Sequence, residues 1–172
     1  MTTFERRVGA LERLLLTPIR LPALLAGKLL GGMVFGLVTT LAVLIVALAV
    51  FGASGVNWPL LILGMILSAA AFSALGVLVS VAVKEVFEAQ TLANAFRFPM
   101  MFLGGVFVPV ASLPPGLQIV TRPLSLTYAV DVLRVALTSG GLSRAMLDLA
   151  ILAGFTAVLL GLAVWVLSRR VA

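Results

Sequence analysis

The chain has no cysteine and no histidine, and its six acidic residues and 12 basic ones make up only 10% of the sequence. Each shortage removes a class of function. Without cysteine there is no disulfide framework, and without either residue the usual thiolate and imidazole metal ligands are missing. No Ser-His-Asp or Cys-His set can be assembled for nucleophilic catalysis. A Walker A loop is also absent, because Gly27-Lys28 has neither the upstream glycine nor the following Ser or Thr. The chain is therefore not expected to hydrolyse ATP or to act as an enzyme. No charged side chain occurs from Leu29 to Val83 or from Leu149 to Ser168. An ion-coupled carrier normally needs a carboxylate or histidine inside the membrane, so these runs argue against one.

What the sequence has is carbon. Hydrophobic residues are 62% of it and the mean hydropathy is +1.25, which no soluble domain sustains. The fold class implied is an all-α integral membrane protein. The net charge of +6 is not a nucleic-acid signature, because the basic residues bracket the apolar runs instead of forming a patch with aromatics between them.

Taken in order, residues 1–28 read as a cytoplasmic amphipathic segment and residues 29–172 as a transmembrane domain. Thr2 and Glu5 have capping-box spacing, and Phe4, Val8, Leu11 and Leu15 then share one face of a helix. Glu5 and Glu12 lie on one flank with Arg6 and Arg13 beside them, a pattern suited to a membrane surface. Pro18 and Pro22 are expected to break the chain before the first span. Four spans follow, at about 29–51, 59–83, 90–110 and 149–168. Gly32, Gly36 and Thr39 in the first, and Ala69, Ser73, Gly76 and Ser80 in the second, form small-residue stripes suited to close helix packing. The third differs from the rest. Gln90, Asn94 and Arg97 share one face, and polar groups within a span are costly and usually face a bundle interior or wet cavity. These three are the candidate translocation-path residues. A competing reading lets the Arg97 stem snorkel to the head groups.

Between the third and last spans lies a segment too polar and too interrupted to cross a bilayer. Pro109, then Pro114-Pro115-Gly116, then Pro123 turn the chain repeatedly. Irregular backbone survives at membrane depth only where protein or water satisfies it. The expectation is a helical hairpin at about 112–140 that dips back into the face from which the third span emerges.

Two stretches carry a family resemblance. Phe98-Pro-Met-Met-Phe-Leu-Gly-Gly-Val-Phe-Val-Pro109, the Leu113-Pro114 step and Pro123-Leu-Ser-Leu-Thr-Tyr-Ala-Val-Asp-Val-Leu-Arg134 are similar to the signature of ABC-2 type permeases, the membrane subunits of ATP-driven exporters. Gly9-Ala-Leu-Glu-Arg-Leu-Leu-Leu-Thr-Pro18 and Gly27-Lys28 resemble the same family's cytoplasmic loop. The match covers the C-terminal portion of a pattern that usually has six spans, without the first two. The resemblance implies that Glu5, Glu12, Arg13, Thr17 and Pro18 belong to a segment coupling to a separate ATP-binding-cassette ATPase. It implies that Pro109, Pro114, Pro123, Tyr128, Asp131 and Arg134 mark an external hairpin. It also implies a second permease copy as partner, ATP and magnesium held by the ATPase with no cofactor on this chain, and a lipid, drug or glycan-type export substrate. The localisation implied is a plasma (inner) membrane.

Charge distribution orients the chain. With both termini cytoplasmic, Arg6, Arg7, Arg13, Arg20, Lys28, Lys84, Arg169 and Arg170 lie inside, and Arg122, Arg134 and Arg144 outside, as the positive-inside rule expects. The alternative to an energised permease is a passive scaffold or small pore, or a non-functional permease fragment. A docking helix at the N-terminus distinguishes the first from the others.

Overall fold

The structure, a computed structural model, describes residues 21–52, 55–83, 85–107, 110–121, 123–138 and 141–171. Among these there are six α-helices and no strand. They are α1 Leu21–Phe51, α2 Trp58–Ala82, α3 Val86–Leu103, α4 Pro115–Thr121, α5 Ser125–Thr138 and α6 Leu142–Val171, with a 3₁₀ turn at Val110–Ser112.

Among the described residues three helices are long and apolar enough to cross a membrane, over Leu25–Val50, Trp58–Ala82 and Leu142–Arg169. Helix α3 is not one of them. Its 18 residues extend about 27 Å at 1.5 Å per residue, and Glu88, Gln90, Asn94 and Arg97 lower its hydropathy. The expected limits of 90–110 for this segment need correction. The helix starts four residues earlier, where Glu88 Oε2 accepts from the Glu85 backbone N–H at 3.4 Å. It also stops seven residues earlier. Gly104 caps it, donating its N–H to the Met100 carbonyl at 2.7 Å, and Gly105 turns away at φ +83°, a conformation that favours glycine. Pro22 does not break the chain before α1 but sits in its first turn, where a missing N–H costs nothing.

The start of α2 is fixed locally. Asn57 Oδ1 accepts from the Leu60 N–H at 3.3 Å and Pro59 occupies the first turn. The Asn57 N–H is used elsewhere, donating to the Ala136 carbonyl of α5 at 2.8 Å.

Helix α2 is the axis of the bundle, packing on α1, α5 and α6. Three apolar clusters along it give the register. Leu60, Leu61 and Met65 meet Val132 and Ala136 of α5, Ala145 and Leu149 of α6, and Leu44 of α1. Ala71 meets Ala129 and Leu152. Val77 and Val81 meet Leu25, Ala163 and Leu167. Numbers rise together along α2 and α6, so these helices run parallel, and they oppose along α1 and α5, which run antiparallel to α2. Helix α5 therefore lies beside the first half of α2. Its inner contact at Ala71 is 13 residues beyond Trp58, about 20 Å along the axis. Where the prolines lead to the expectation of a hairpin, the chain forms the short helix α4 and then α5, and the second helix is a packed member of the bundle. Gly64 makes that approach feasible, since a Cβ there would lie 2.7 Å from Val132 Cγ1.

Candidate path residues and the hairpin joint

Glu5, Glu12, Arg13, Thr17 and Pro18 lie outside the described residues, as does Pro109. The remaining candidates fall into two separate groups.

The first group is on α3. Gln90 and Arg97 are exposed and Asn94 is half-buried, and none has a hydrogen-bond partner among the described residues. Helix α3 is the long helix with the thinnest packing, touching α2, α4 and α5 through small contacts. Its buried anchor is Met100, three residues beyond Arg97 and so on the neighbouring flank of the helix.

The second group is the hairpin. Pro114 and Pro123 are exposed at its bends, and the Pro114 carbonyl accepts from the Leu117 and Gln118 N–H groups as α4 begins. Gln118 Nε2 donates back to the Leu113 carbonyl at 2.8 Å, closing the bend. At the inner end, Thr127 Oγ1 donates to the Thr121 carbonyl at 3.2 Å across the turn between α4 and α5, while the buried Ser125 Oγ in the same turn has no hydrogen-bond partner. The Tyr128 ring stands 6.1 Å from that of Phe155 on α6. Arg134 and Asp131 have the spacing of a helical ion pair, but the Arg134 guanidinium is directed elsewhere. Its Nη2 donates to the Gly105 carbonyl at 3.0 Å, holding the exit of α3 against the hairpin. Asp131 is half-buried, and burial pushes its carboxyl above the ordinary value of 3.8 while the charges of Arg134 and Arg144 oppose the rise.

Two features were not selected from the sequence. Asp148, in the second turn of α6, is 8% exposed, its Oδ2 has no hydrogen-bond partner, and it lies close enough to Asp131 to interact electrostatically. The spacing of Arg144 and Asp148, i to i+4 at the head of the last span, is the signal that marks this joint in the sequence. The other is a cavity of about 370 Å³ between α1, α2 and α5, lined by Gly36, Thr40, Met65, Ser68, Phe72, Leu126 and Val130 among others. The small-residue stripes have a double role here. Gly32 gives Ser73 room to donate its Oγ to the Leu29 carbonyl at 2.8 Å, binding α1 to α2. Gly36, one turn on, opens into the cavity. The path candidates of α3 do not line it.

Among the described residues no three His, Cys, Asp or Glu side chains converge as a metal site. What the arrangement offers is mechanical: a lightly held helix with a polar face, tethered at its exit to a hairpin wedged into the bundle.

Comparison with known proteins gives this arrangement a family. A model described as ABC-2 family transporter protein matches residues 1–165. The inner membrane transport permease YadH of Escherichia coli strain K12 is 28% identical over 131 residues, covering 76% of this chain and 50% of the relative. The protein of the same name from Shigella flexneri matches over the same extent with the same identity. The chain thus spans about half the length of the curated relatives it matches. No solved structure matches it.

Proposed function

Because the chain belongs to the ABC-2 family of transporter proteins, we propose that it is the membrane-spanning permease subunit of an ATP-driven exporter, energised by a separate ATP-binding-cassette ATPase. The family match over residues 1–165 carries this reading. In it α3 is the third of four membrane crossings, both termini are cytoplasmic, and the α4–α5 hairpin enters from the external side. The excess of basic residues at the cytoplasmic ends supports that orientation.

The mechanism follows from which parts are fixed. Helices α2, α5 and α6 share a continuous core and serve in this reading as the fixed part. Helix α3 has a sparse interface and a polar face, so it is the element that lines the path, through Gln90, Asn94 and Arg97. Its external end is tied to the hairpin by the Arg134–Gly105 bond, so displacement of α3 and of the hairpin are coupled. The ATPase acts from the other end, through the N-terminal segment carrying Glu5, Glu12, Arg13, Thr17 and Pro18. ATP and magnesium sit on that partner, and a second permease copy completes the path. The apolar walls suit a lipid, drug or glycan-carrier substrate.

The test is affinity purification of the tagged chain from its native membrane, looking for a protein with a Walker A loop. An ATP-binding-cassette ATPase should co-purify with the wild type. Glu12→Lys should remain inserted, since exposed charges rarely alter stability by more than about 0.5 kcal/mol, yet lose the ATPase through charge reversal at the contact. Absence of any ATPase with the wild type would favour the passive scaffold or pore. Unchanged capture by Glu12→Lys would remove the docking role of that residue.

A further inference from the structure

The stripe on α3 has more detail than a wet wall requires. Gln90, Asn94 and Arg97 cover about 10 Å of helix at i, i+4 and i+7 and have no partners among the described residues. Phe87 and Phe98 lie roughly 60–80° further round the helix from Gln90. They are 82% and 59% exposed, respectively. A cation, two amides and two exposed phenyl rings therefore share one continuous surface of the most weakly packed long helix.

Charge decides what such a surface accepts. Arg97 lies nine residues beyond Glu88, about 14 Å along the helix axis. Helical side chains lean toward their own N-terminus, so the guanidinium points back toward the cytoplasmic half of the membrane in the orientation proposed above. A guanidinium at membrane depth without a protein anion is stabilised by an anion supplied from outside. Its planar fork suits carboxylate or phosphate by two parallel hydrogen bonds. The amides of Gln90 and Asn94 add donors on the same face, and the phenyl rings accept hydrocarbon beside it.

We propose that this face of α3 binds an anionic amphiphile, a molecule with a carboxylate or phosphate on an apolar body, with Arg97 holding the acidic group and Phe87 and Phe98 the hydrocarbon. The inference rests on the reading of α3 as a path-lining helix and narrows the export substrate to that class. The same chemistry is available from a bilayer lipid's own phosphate, and the test separates the two sources.

The experiment uses the purified full chain and a fluorescent probe, 11-(dansylamino)undecanoic acid, with its methyl ester as the uncharged control. In dodecyl maltoside, which has no phosphate, the acid should bind at least tenfold more tightly than the ester. Arg97→Gln should abolish that preference and Arg97→Lys should keep most of it, which separates loss of charge from loss of fold. Equal affinity of acid and ester for the wild type, or an undiminished preference in Arg97→Gln, would overturn the proposal. Repeating the titration in phosphatidylcholine nanodiscs identifies the source. A surviving preference assigns the site to an exchanging amphiphile, and one seen only in detergent assigns it to lipid phosphate. No ATPase is needed, so failure here leaves the transporter reading standing. A retained preference without ATPase capture would overturn that reading and leave the site.

Discussion

The tightest contact between hairpin and bundle makes a quantitative prediction at Gly64. A Cβ at this position would sit 2.7 Å from Val132 Cγ1 and 3.6 Å from Leu133 Cδ2. Val132 is wholly buried and β-branched, so it has little freedom to retreat. Gly64→Ala gains about 0.5–1 kcal/mol of helix propensity but incurs an overpacking cost of about 1–3 kcal/mol. Gly76, on the same helix, has nothing within 4 Å of its Cβ position. Gly76→Ala therefore keeps the propensity gain and stabilises. The two substitutions are chemically identical and should differ by the overpacking cost alone. With roughly 2–4 °C per kcal/mol for a chain of this size, melting temperatures should differ by about 2–12 °C. Detergent-solubilised protein heated in steps, with surviving monodisperse material counted by size-exclusion chromatography, gives the comparison. Val132→Ala should rescue Gly64→Ala, with a coupling of about 1 kcal/mol or more. If Gly64→Ala were as stable as Gly76→Ala, the close approach of α5 to α2 would be wrong, and with it the insertion of the hairpin.

Other consequences are simpler. Ser73→Ala removes the hydroxyl that donates to the Leu29 carbonyl and should cost about 0.6 kcal/mol, the average for hydrogen bonds between membrane helices, and no more than about 1.7 kcal/mol, read by the same heating assay. Arg134→Gln should loosen the exit of α3 more than Asp131→Asn does, because Arg134 holds the Gly105 carbonyl and not Asp131; protease sensitivity of the segment after Leu103 measures it. The Asp131 carboxyl holds its proton more tightly in the folded chain than in the unfolded one. Its contribution is therefore fully present below about pH 3.8, the ordinary value, and is lost as pH rises through the raised one. Wild-type stability relative to Asp131→Asn should fall on going from pH 4 to neutrality, and a flat difference would refute the shift. Single cysteines introduced into this cysteine-free chain at Ser54 and Ser112 should label from outside intact cells, and those at Thr3 and Ala172 should not; labelling at Thr3 would reverse the orientation.

Long uninterrupted runs of carbon made α1, α2 and α6 legible, because length and hydropathy alone decide whether a helix can span a bilayer. Their ends were harder to place. Pro22 reads as a breaker, but a first-turn proline has no hydrogen bond to lose. The uncharged run places the last span at about 149–168, whereas α6 starts at Leu142 and takes in Arg144 and Asp148, its 30 residues extending about 45 Å, beyond the hydrocarbon core. The end of α3 is set locally by the Gly104 cap and the turn at Gly105, with Leu126 packed against Gly104, but the apolar run of residues 104–110 hides that stop in a reading by hydropathy. The prolines announced a hairpin, but its depth follows from Val132, Ala129 and Ala136, which look ordinary until set against α2. Burial of Asp148 and the cavity beside Gly36 arise from three helices meeting, which no single-helix periodicity encodes.

The most direct measurement of the central claim is ATP hydrolysis by the co-purified ATPase in proteoliposomes, with and without this chain. The account predicts that the chain raises the rate and that Glu12→Lys, equally well inserted, does not. A rate indifferent to the wild-type chain would contradict it.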